Sequence, residues 1–402
     1  MKHHFLILFI VYYFVPSLLI SCEATDKLYT ITTVNNTNLK REKETIEIQL
    51  KDVPEFSKEE YNNLSIFDTK NNLVVSQLVD IDQDSIQDYI IFQTDFNPNE
   101  TKKFTLVYQK ETQLNNKVDV HTFCRIVPER IDDFAWENDK VAFRTYGPKC
   151  QQLFEEGKPG GLISSGIDCW TKRVDYPIIN KWYKDYLNGK SYHKDHGEGY
   201  DAYHVGTTRG CGGVALIHNN TYLLTKNFTN WKILANGPIR SIFELEYATI
   251  KVGNSEVSEK KRISLDLGTH LYHCQISYTS KRQLSKAGIG LALHQGKGKT
   301  TMNKAEGWVS YWEPMEDSYI GTAILINPKS ITDIAINDTL SKDESFNNLW
   351  VNTKIQKNHF SYWAGFGWKK SGDFNTSRDW ENYLKKEASK KNTPIAITLT
   401  KK

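Results

Sequence analysis

Short stretches in which apolar and polar residues alternate recur along most of the chain, and they restrict it to a mainly β fold. A period of two places successive side chains on opposite faces of a strand, whereas the period of a long helix is scarce in this sequence. Seven stretches show the pattern most clearly: residues 45–50, 72–75, 89–92, 103–108, 140–144, 240–247 and 321–326.

The distribution of these stretches predicts two β domains. Residues 31–111 are interpreted as a small antiparallel β-sandwich and residues 121–402 as a large antiparallel sandwich. Strands and helices do not alternate, which disfavours a parallel sheet. The clearest helix lies near the end, where Thr376 or Ser377 can cap residues 378–390.

The N-terminal segment has the pattern of an export signal. Lys2 precedes a largely apolar run at residues 5–20, shorter than the roughly 20 apolar residues that span a bilayer. The run ends in Leu-Ile-Ser-Cys, which resembles a bacterial lipobox with Cys22 as the acylated residue. We therefore expect a signal peptide at 1–21 and a lipidated tether at 22–30, holding a periplasm-facing or cell-surface lipoprotein, in the outer membrane, by acyl chains. A plain secretory signal with an incidental cysteine is the alternative.

Five further cysteines follow, an odd number that cannot all pair. Their spacing contains no C-x-x-C motif of a zinc site. A domain of this size does not need disulfides, so we expect buried free thiols at Cys124, Cys150, Cys169, Cys211 and Cys274.

The charge balance argues against nucleic acid as a partner. The chain of 402 residues has 51 Lys and Arg against 48 Asp and Glu, a formal charge of +3. The unusual feature is aromatic, with 10 Trp, 21 Tyr and 18 Phe. Aromatic faces stack on sugar rings, although large sandwiches also use them in their cores.

Titratable side chains are densest between residues 192 and 213. This segment contains three histidines together with tyrosines, carboxylates, Lys194 and Arg209, interspersed with six glycines. Glycine lets a backbone turn tightly and approach a ligand, and histidine exchanges protons near neutral pH. The segment is therefore the candidate active site, against the alternative of a polar surface loop.

Two groups of residues in the sequence are alternative candidates for a metal site. His193, His196, Glu198 and His204 are possible ligands but lack a regular helical spacing, so we expect catalysis without a metal or other cofactor. The sequence Asp-Ile-Asp-Gln-Asp-Ser-Ile-Gln-Asp at 80–88 has the oxygen spacing of a calcium loop. Because it lacks the turn glycine and the final glutamate, a solvated turn is favoured there.

Two clusters combine aromatic residues with charged ones and can complete a pocket, although each alone is typical of a core with a solvated rim. They are Trp170, Lys172, Arg173, Lys181, Trp182 and Tyr183, and Trp308, Tyr311, Trp312 and Glu313. From them and the dense segment, substrate binding is assigned to His193, Trp170, Lys172, Lys181, Trp312 and Glu313.

An ordered string of motifs resembles the lipoprotein family labelled domain of unknown function 4861, over nearly the whole mature chain. The motifs are PERIDDFAWEND at 128–139, YHKDHGEG at 192–199, TRGCGG at 208–213, ANGPIR at 235–240, YWAGFGW at 362–368 and SGDF at 371–374.

The resemblance implies a protein of a Bacteroidetes polysaccharide-utilisation locus, whose large domain is a galactose-mutarotase-like super-sandwich. It also implies the activity of an ulvan-oligosaccharide dehydratase, a carbon–oxygen lyase that removes water across C4–C5 of a terminal glucuronic acid. Its partners would be an oligosaccharide that contains uronic acid and, downstream, an unsaturated-uronyl hydrolase. A polysaccharide lyase and a non-catalytic glycan-binding lipoprotein remain as alternatives.

The chemistry of such an elimination assigns roles within the dense segment. It needs a cation on the carboxylate, a base at C5 and an acid at the oxygen that leaves C4. Arg209 is the expected clamp, because guanidinium matches a carboxylate fork. His196 or His204 is the expected base, and Tyr200 or Tyr203 the expected acid.

Overall fold

The computed structural model describes residues 28–109, 119–336 and 340–401. The fold is mainly β with antiparallel sheets, which confirms the predicted class. The strands in these residues are β1 Leu28–Val34, β2 Arg41–Gln49, β3 Leu64–Phe67, β4 Leu73–Val74, β5 Ser76–Val79, β6 Tyr89–Phe96, β7 Thr101–Tyr108, β8 Phe123–Val127, β9 Asp133–Glu137, β10 Ala142–Thr145, β11 Asp168–Lys172, β12 Gly199–Tyr200, β13 Cys211–His218, β14 Thr221–Leu223, β15 Phe228–Asn236, β16 Arg240–Tyr247, β17 Ile250–Val252, β18 Ser255–Asp266, β19 Leu271–Ser280, β20 Lys286–Ala292, β21 Lys299–Asn303, β22 Trp308–Met315, β23 Ser318–Leu325, β24 Ile331–Ile336, β25 Asn348–Lys354, β26 His359–Trp368 and β27 Ala396–Lys401.

Three α-helices accompany the strands: α1 Pro148–Glu155, α2 Ile179–Leu187 and α3 Ser377–Asn392. Short 3₁₀ turns occupy Leu50–Asp52, Glu60–Asn63, Pro128–Arg130, Pro328–Ser330, Glu344–Phe346 and Lys369–Ser371. Within the described ranges, no helix is both long and apolar enough to cross a membrane.

The N-terminal region forms a small sandwich of two antiparallel sheets. One has the order β27-β1-β7-β3-β4 and the other the order β2-β6-β5. Alternate residues of β1 and β2 are buried in a core of their own, which includes Ile31, Ile46 and Phe92. This alternation is the period-two pattern seen in the sequence.

The large region is a two-layer sandwich. A nine-stranded sheet, with the path β15-β16-β18-β19-β26-β23-β22-β21 and β17 beside β18, forms one layer. Two five-stranded sheets, β12-β11-β10-β9-β8 and β14-β13-β20-β25-β24, contribute to the same core from the other side. Phe143, Ile263 and Leu291 represent the three sheets in that core, and each is 0% exposed. The face of the nine-stranded sheet that points away from this core is called the outer face below.

The individual predictions for strands and for the last helix are confirmed. The stretch at 240–247 is β16, and the other six stretches overlap β2, β4, β6, β7, β10 and β23. Helix α3 begins after Thr376, whose hydroxyl accepts from the Asp379 amide while the Asp379 carboxylate accepts from the Thr376 amide. This reciprocal capping box fixes the start of the helix.

The boundaries of the predicted regions differ from the structure at two places. Residues 28–30, assigned to the tether, belong to β1, because Leu28–Val34 pairs with β7 along its length. The last strand, Ala396–Lys401, was assigned to the large domain but pairs with the other edge of β1. The signal peptide and Cys22 lie outside the described residues.

Polar contacts join the two sandwiches. Gln77 Nε2 donates to the Arg240 carbonyl at 2.9 Å, and Arg240 Nη1 donates to Glu47 Oε2 at 2.7 Å. Arg41, which is 0% exposed, donates from Nη2 to the Thr393 carbonyl at 2.5 Å. Buried charged groups that are bonded in this way make the junction part of the fold rather than a loose linker.

The expectation for the cysteines is confirmed. All five in the described part of the chain are buried and free. Burial raises the pKa of Cys124 and Cys274 to about 12, so these thiols stay protonated and unreactive at neutral pH.

Candidate functional site

The candidate segment, residues 192–213, contains β12 and the start of β13, and it lies against the edge of the sheet that contains β11. Its glycines serve this packing. Gly199 has φ +117°, and a Cβ there would lie 2.1 Å from the Thr171 carbonyl oxygen. Strand β12 pairs with β11 at this point, so the glycine lets two backbones approach each other. The interpretation that the glycines admit a ligand is therefore wrong for Gly199.

His193 is an exposed histidine of the segment, and the buried residue Asp201 orients its ring. Its Nδ1 lies 3.1 Å from the Asp201 carbonyl oxygen and 3.4 Å from Asp201 Oδ2. Its side chain is 55% exposed, whereas that of Asp201 is 2% exposed. An Nδ1–H that faces these oxygens leaves the lone pair of Nε2 free, and Nε2 has no hydrogen-bond partner among the described residues.

Asp201 belongs to a buried charge cluster centred on Arg144. Arg144 Nη2 lies 2.6 Å from Asp168 Oδ2 and 2.8 Å from Asp201 Oδ2, and its Nη1 lies 3.5 Å from Asp133 Oδ2. A second guanidinium, that of Arg130, adds a Coulomb contribution at Asp133. Three buried carboxylates therefore lie beside two guanidinium groups underneath the segment.

This excess of acid changes the ionisation of the cluster. Burial raises the pKa of Asp133 to about 6, against the opposing charge of Arg144. Burial, assisted by the charge of Asp168, also holds the pKa of Asp201 well above its usual range. Such shifts are typical of functional sites, although structural networks show them as well.

A second histidine–carboxylate pair lies on the other side of the segment. His294 Nδ1 lies 2.6 Å from Glu313 Oε1, and its Nε2 lies 2.7 Å from the His204 carbonyl oxygen. Although burial opposes it, the hydrogen bond and charge of Glu313 raise the pKa of His294, and burial raises that of Glu313. Because both ring nitrogens of His294 are engaged, this pair holds the backbone of the segment in place. Glu313 is buried and bonded to His294, so it is not available to bind substrate, which corrects its assignment.

The other predicted catalytic residues occupy different environments. His204 is 72% exposed, with Nε2 3.6 Å from Glu344 Oε2. His196 is exposed, with Nε2 3.0 Å from the Ser191 carbonyl oxygen. Tyr200 is 3% exposed, and burial, together with a hydrogen bond to Glu316, raises its pKa. The elevated pKa keeps its hydroxyl protonated, as a general acid requires.

The predicted alternative acid, Tyr203, is excluded by the position of its hydroxyl, whereas Tyr200, which is as deeply buried overall, bonds through its hydroxyl to the exposed Glu316. It is 5% exposed and packs edge-on against His294 at 4.7 Å between ring centroids. Its hydroxyl is buried without a hydrogen-bond partner in the described part of the chain, so it does not face solvent.

Arg209 is not a carboxylate clamp. It is 2% exposed, and its Nη1 and Nη2 donate to Ser165 Oγ at 2.8 Å and to the Thr207 carbonyl at 3.0 Å. Burial lowers its pKa to about 10. The side chain packs under Gly290, where an added Cβ would lie 2.5 Å from Arg209 Cγ. The sequence showed a cation beside glycines but not that the loop before β13 turns it inward.

Trp170 and Lys172 are also buried, which corrects their assignment to substrate binding. Trp170 is 0% exposed and stacks on Trp182 with ring centroids 5.5 Å apart. Lys172 Nζ donates to Glu137 Oε2 at 2.9 Å and to two backbone carbonyls, those of Asn138 and Tyr176. All three of its protons are therefore used inside the protein.

Lys181 and Trp312 are partly accessible. Lys181 Nζ lies 2.5 Å from Glu198 Oε1, and its side chain is 49% exposed. Trp312 lies on the outer face of the nine-stranded sheet, where it stacks on Tyr319 with centroids 6.1 Å apart. Its neighbour Glu313 points to the opposite face of the same strand, so these two predicted residues do not share a site.

Sequence reasoning missed Arg144, Asp168 and His294 and assigned no role to Asp201. A usable signal existed for Arg144, which is the charged residue in the apolar stretch Val-Ala-Phe-Arg. A charge in the middle of a buried strand requires partners, and the acids of neighbouring strands supply them.

The metal alternatives have a definite geometry. Over residues 28–109, 119–336 and 340–401, the one set of three or more ligand atoms within 4.8 Å of one another is formed by Asp80, Asp82 and Asp88. The carboxylates of this turn accept bonds from its own amides, including those of Gln83 and Ser85 to Asp80. This bonding is that of a closed polar turn.

Comparisons with known proteins place the chain. The family described as "Domain of unknown function (DUF4861)" matches residues 34–397. "Uncharacterized protein P7" of Formosa agariphila is 41% identical over 405 residues, which covers 99% of this chain and 100% of that protein.

Two solved structures resemble the chain, and the likeness to the first of them concerns the fold. One, from Enterococcus faecalis, is described as a protein in the glycosyl hydrolase family 38 and has a TM-score of 0.50 at 9% identity, covering 93% of this chain and 47% of that one. An alpha-mannosidase from Enterococcus faecalis V583 has a TM-score of 0.47 at 8% identity, covering 93% and 46%. The chain thus spans about half the length of either solved structure.

Proposed function

The chain belongs to the DUF4861 family, and we propose that it is a carbohydrate-active carbon–oxygen lyase, a dehydratase that removes water across C4–C5 of a terminal glucuronic acid in ulvan-type oligosaccharides. The observation that supports this most directly is His193, an exposed imidazole whose Nδ1 faces the buried Asp201 and whose Nε2 is free. An imidazole that is held by a hydrogen bond at one nitrogen and free at the other is suited to abstract a proton.

In the proposed elimination, a proton leaves C5 and a hydroxyl leaves C4. His193 Nε2 takes the proton from C5, the electrons of that bond form the C4–C5 double bond, and the C4–O bond breaks. The leaving hydroxyl receives a proton and departs as water. The Asp201 carbonyl, which accepts from His193 Nδ1, holds the ring in place and stabilises the imidazolium that forms.

Tyr200 is the proposed acid, and His204 is the alternative. The Asp201 amide donates to the Tyr192 carbonyl at 2.9 Å, so His193 lies beside the Tyr200–Asp201 backbone. Lys194 is proposed as the cation for the substrate carboxylate in place of Arg209, because it is exposed and has no carboxylate partner among the described residues.

Two further observations support a carbohydrate substrate. The motifs in the sequence resemble the family that includes the ulvan-oligosaccharide dehydratase. The sandwich also resembles that of a protein described as a member of glycosyl hydrolase family 38, a likeness that by itself concerns the fold. A polysaccharide lyase uses the same base and differs in the group that leaves C4.

One experiment separates the candidate functions. Purified protein is mixed with uronic-acid oligosaccharides, and both the ultraviolet absorbance of a 4,5-unsaturated uronate and the number of new reducing ends are followed. The dehydratase predicts a rise in absorbance without new ends. A rise with new ends indicates a lyase, and binding without any rise indicates a glycan-binding protein; either result contradicts the proposal.

We also propose that Cys22 carries the lipid anchor and that an unsaturated-uronyl hydrolase acts on the product. Cys22→Ala should leave the protein soluble or still joined to its signal. Unchanged membrane fractionation of a mature-length Cys22→Ala product would contradict the anchor.

A further inference from the structure

A polar cleft lies far from the candidate segment, between the small sandwich, the outer face of the nine-stranded sheet and the end of α3. Its volume is about 270 Å³. A neighbouring groove of about 490 Å³ shares Trp363 and Lys391 with it. The two depressions therefore form an elongated surface on either side of Trp363. None of their lining residues belongs to the candidate segment, residues 192–213.

An aromatic platform forms the centre of this surface. Trp363 on β26 and His273 on β19 are direct cross-strand neighbours on the outer face. Their rings are stacked, with centroids 4.5 Å apart and an interplanar angle of 20°. Lys391 Nζ lies 5.3 Å from the Trp363 ring centroid. Because His273 covers one face of the indole, a sugar ring would meet Trp363 from the side that lines the groove, with its polar edge toward Lys391.

His273 has an unused polar atom at this platform. Its Nε2 is buried and has no hydrogen-bond partner within the described ranges. Burial, assisted by the charges of Lys391 and Arg240, lowers the pKa of His273 to about 4, so the ring is neutral at physiological pH. A buried nitrogen without a partner is costly, so a small movement that brought it within reach of a ligand hydroxyl, which both donates and accepts, would be favourable.

The surface carries carboxylates as well as cations, and the cations of the groove that have no carboxylate partner are the groups that an acidic ligand can use. Three of its cations already hold carboxylates: Lys43 with Asp139, Arg240 with Asp266, and Lys390 with Glu387. Lys391 and Lys329 have no carboxylate partner in the part of the chain that the structure describes, and both line the groove. Their charge is thus available to a carboxylate or sulfate group of a ligand.

From this arrangement we propose that the cleft and groove bind an acidic oligosaccharide at a second site, with one sugar ring against Trp363 and its acidic group at Lys391. This site goes beyond the proposed catalytic function and does not depend on it. It would hold a longer chain on the protein while a different part of the surface acts on the chain end.

The test is calorimetric titration of an ulvan tetrasaccharide, with cellotetraose as the neutral comparison. Trp363→Ala should weaken binding of the ulvan tetrasaccharide by about tenfold or more, which is about 1.4 kcal/mol. Lys391→Ala should weaken it as well and remove the preference over cellotetraose. Trp231→Ala, which alters a 40% exposed tryptophan on β15, is the matched control and should bind normally.

His193→Ala separates this proposal from the catalytic one, because it should slow turnover about 10²–10⁴-fold and leave binding at the groove intact. Should Trp363→Ala not fold, the exposed Lys391→Ala still tests the site. Normal affinity in the folded Trp363→Ala and Lys391→Ala variants would overturn the second site. So would loss of all binding in His193→Ala, equal affinity of the wild type for cellotetraose, or no binding of either saccharide.

Discussion

Replacing Lys172 by Met distinguishes a structural lysine from a substrate-binding one. The ammonium and the Glu137 carboxylate are each 0% exposed and lie 2.9 Å apart. Lys172→Met leaves Glu137 buried without its cation, and removing one partner of a buried pair typically costs about 3–5 kcal/mol. Lys181→Met is the control, because its pair with Glu198 is half exposed and should cost about 0–1 kcal/mol.

The assay is urea denaturation of both variants. If the dependence of the free energy of unfolding on urea concentration is the same as in wild type, a shift of the midpoint reports the change in the free energy of unfolding. The Glu137 carboxylate also accepts from the amides of Ile178 and Ile179. Adding Glu137→Gln to Lys172→Met should therefore restore part of the loss, because the amide oxygen can still accept while the buried charge is gone. If Lys172→Met unfolds at the wild-type midpoint but loses oligosaccharide affinity, the lysine faces substrate and this account of the sheet is wrong.

Three shorter predictions follow from other contacts. Gly199→Ala should prevent or strongly destabilise folding, because its Cβ would lie 2.1 Å from the Thr171 carbonyl oxygen; a soluble variant of native thermal stability would contradict this. Thr376→Ala should cost about 1 kcal/mol by removing the cap of α3, measured as a lowered thermal midpoint, and an unchanged midpoint would refute the capping argument. The hydrogen bond with His270 lowers the pKa of Asp373 from 3.8 to about 2, so it stabilises the protein above pH about 4 and loses this effect as the pH falls toward 2. Asp373→Asn should therefore be less stable than wild type at pH 6, and the difference in urea midpoint should shrink by pH 3; a constant difference would count against the ion pair.

The sequence predicted the fold better than it predicted the side chains of the site. Strand β16 and the capped helix α3 were predictable because period-two alternation and a capping threonine act locally. The pairing of β27 with β1 was not, since it joins residues more than 360 positions apart. Contacts at that separation leave no periodic signal in a single sequence.

The density of titratable residues singled out the candidate segment, but it could not show which of its residues face solvent. From the sequence alone, His193 and Arg209 are similar candidates. In the structure the His193 side chain is 55% exposed, whereas Arg209 is 2% exposed. The difference arises because Arg209 packs beneath Gly290 of β20, whereas His193 lies over Asp201. Arg144, which organises the acids under His193, belongs to a strand 49 residues earlier and could be suspected only as a charge within an apolar stretch.

The central claim is that His193 is the base of a uronate elimination, and one comparison of variants tests it most directly. The rate of appearance of the unsaturated uronate is measured for wild type, His193→Ala and His196→Ala, all confirmed as folded by thermal unfolding. His196 is the matched control, because it is an exposed histidine of the same segment whose Nε2 lies 3.0 Å from the Ser191 carbonyl and which no buried acid orients. We predict that His193→Ala slows the reaction about 10²–10⁴-fold while His196→Ala stays within a few-fold of wild type. A His193→Ala variant that turns over at the wild-type rate would contradict the account.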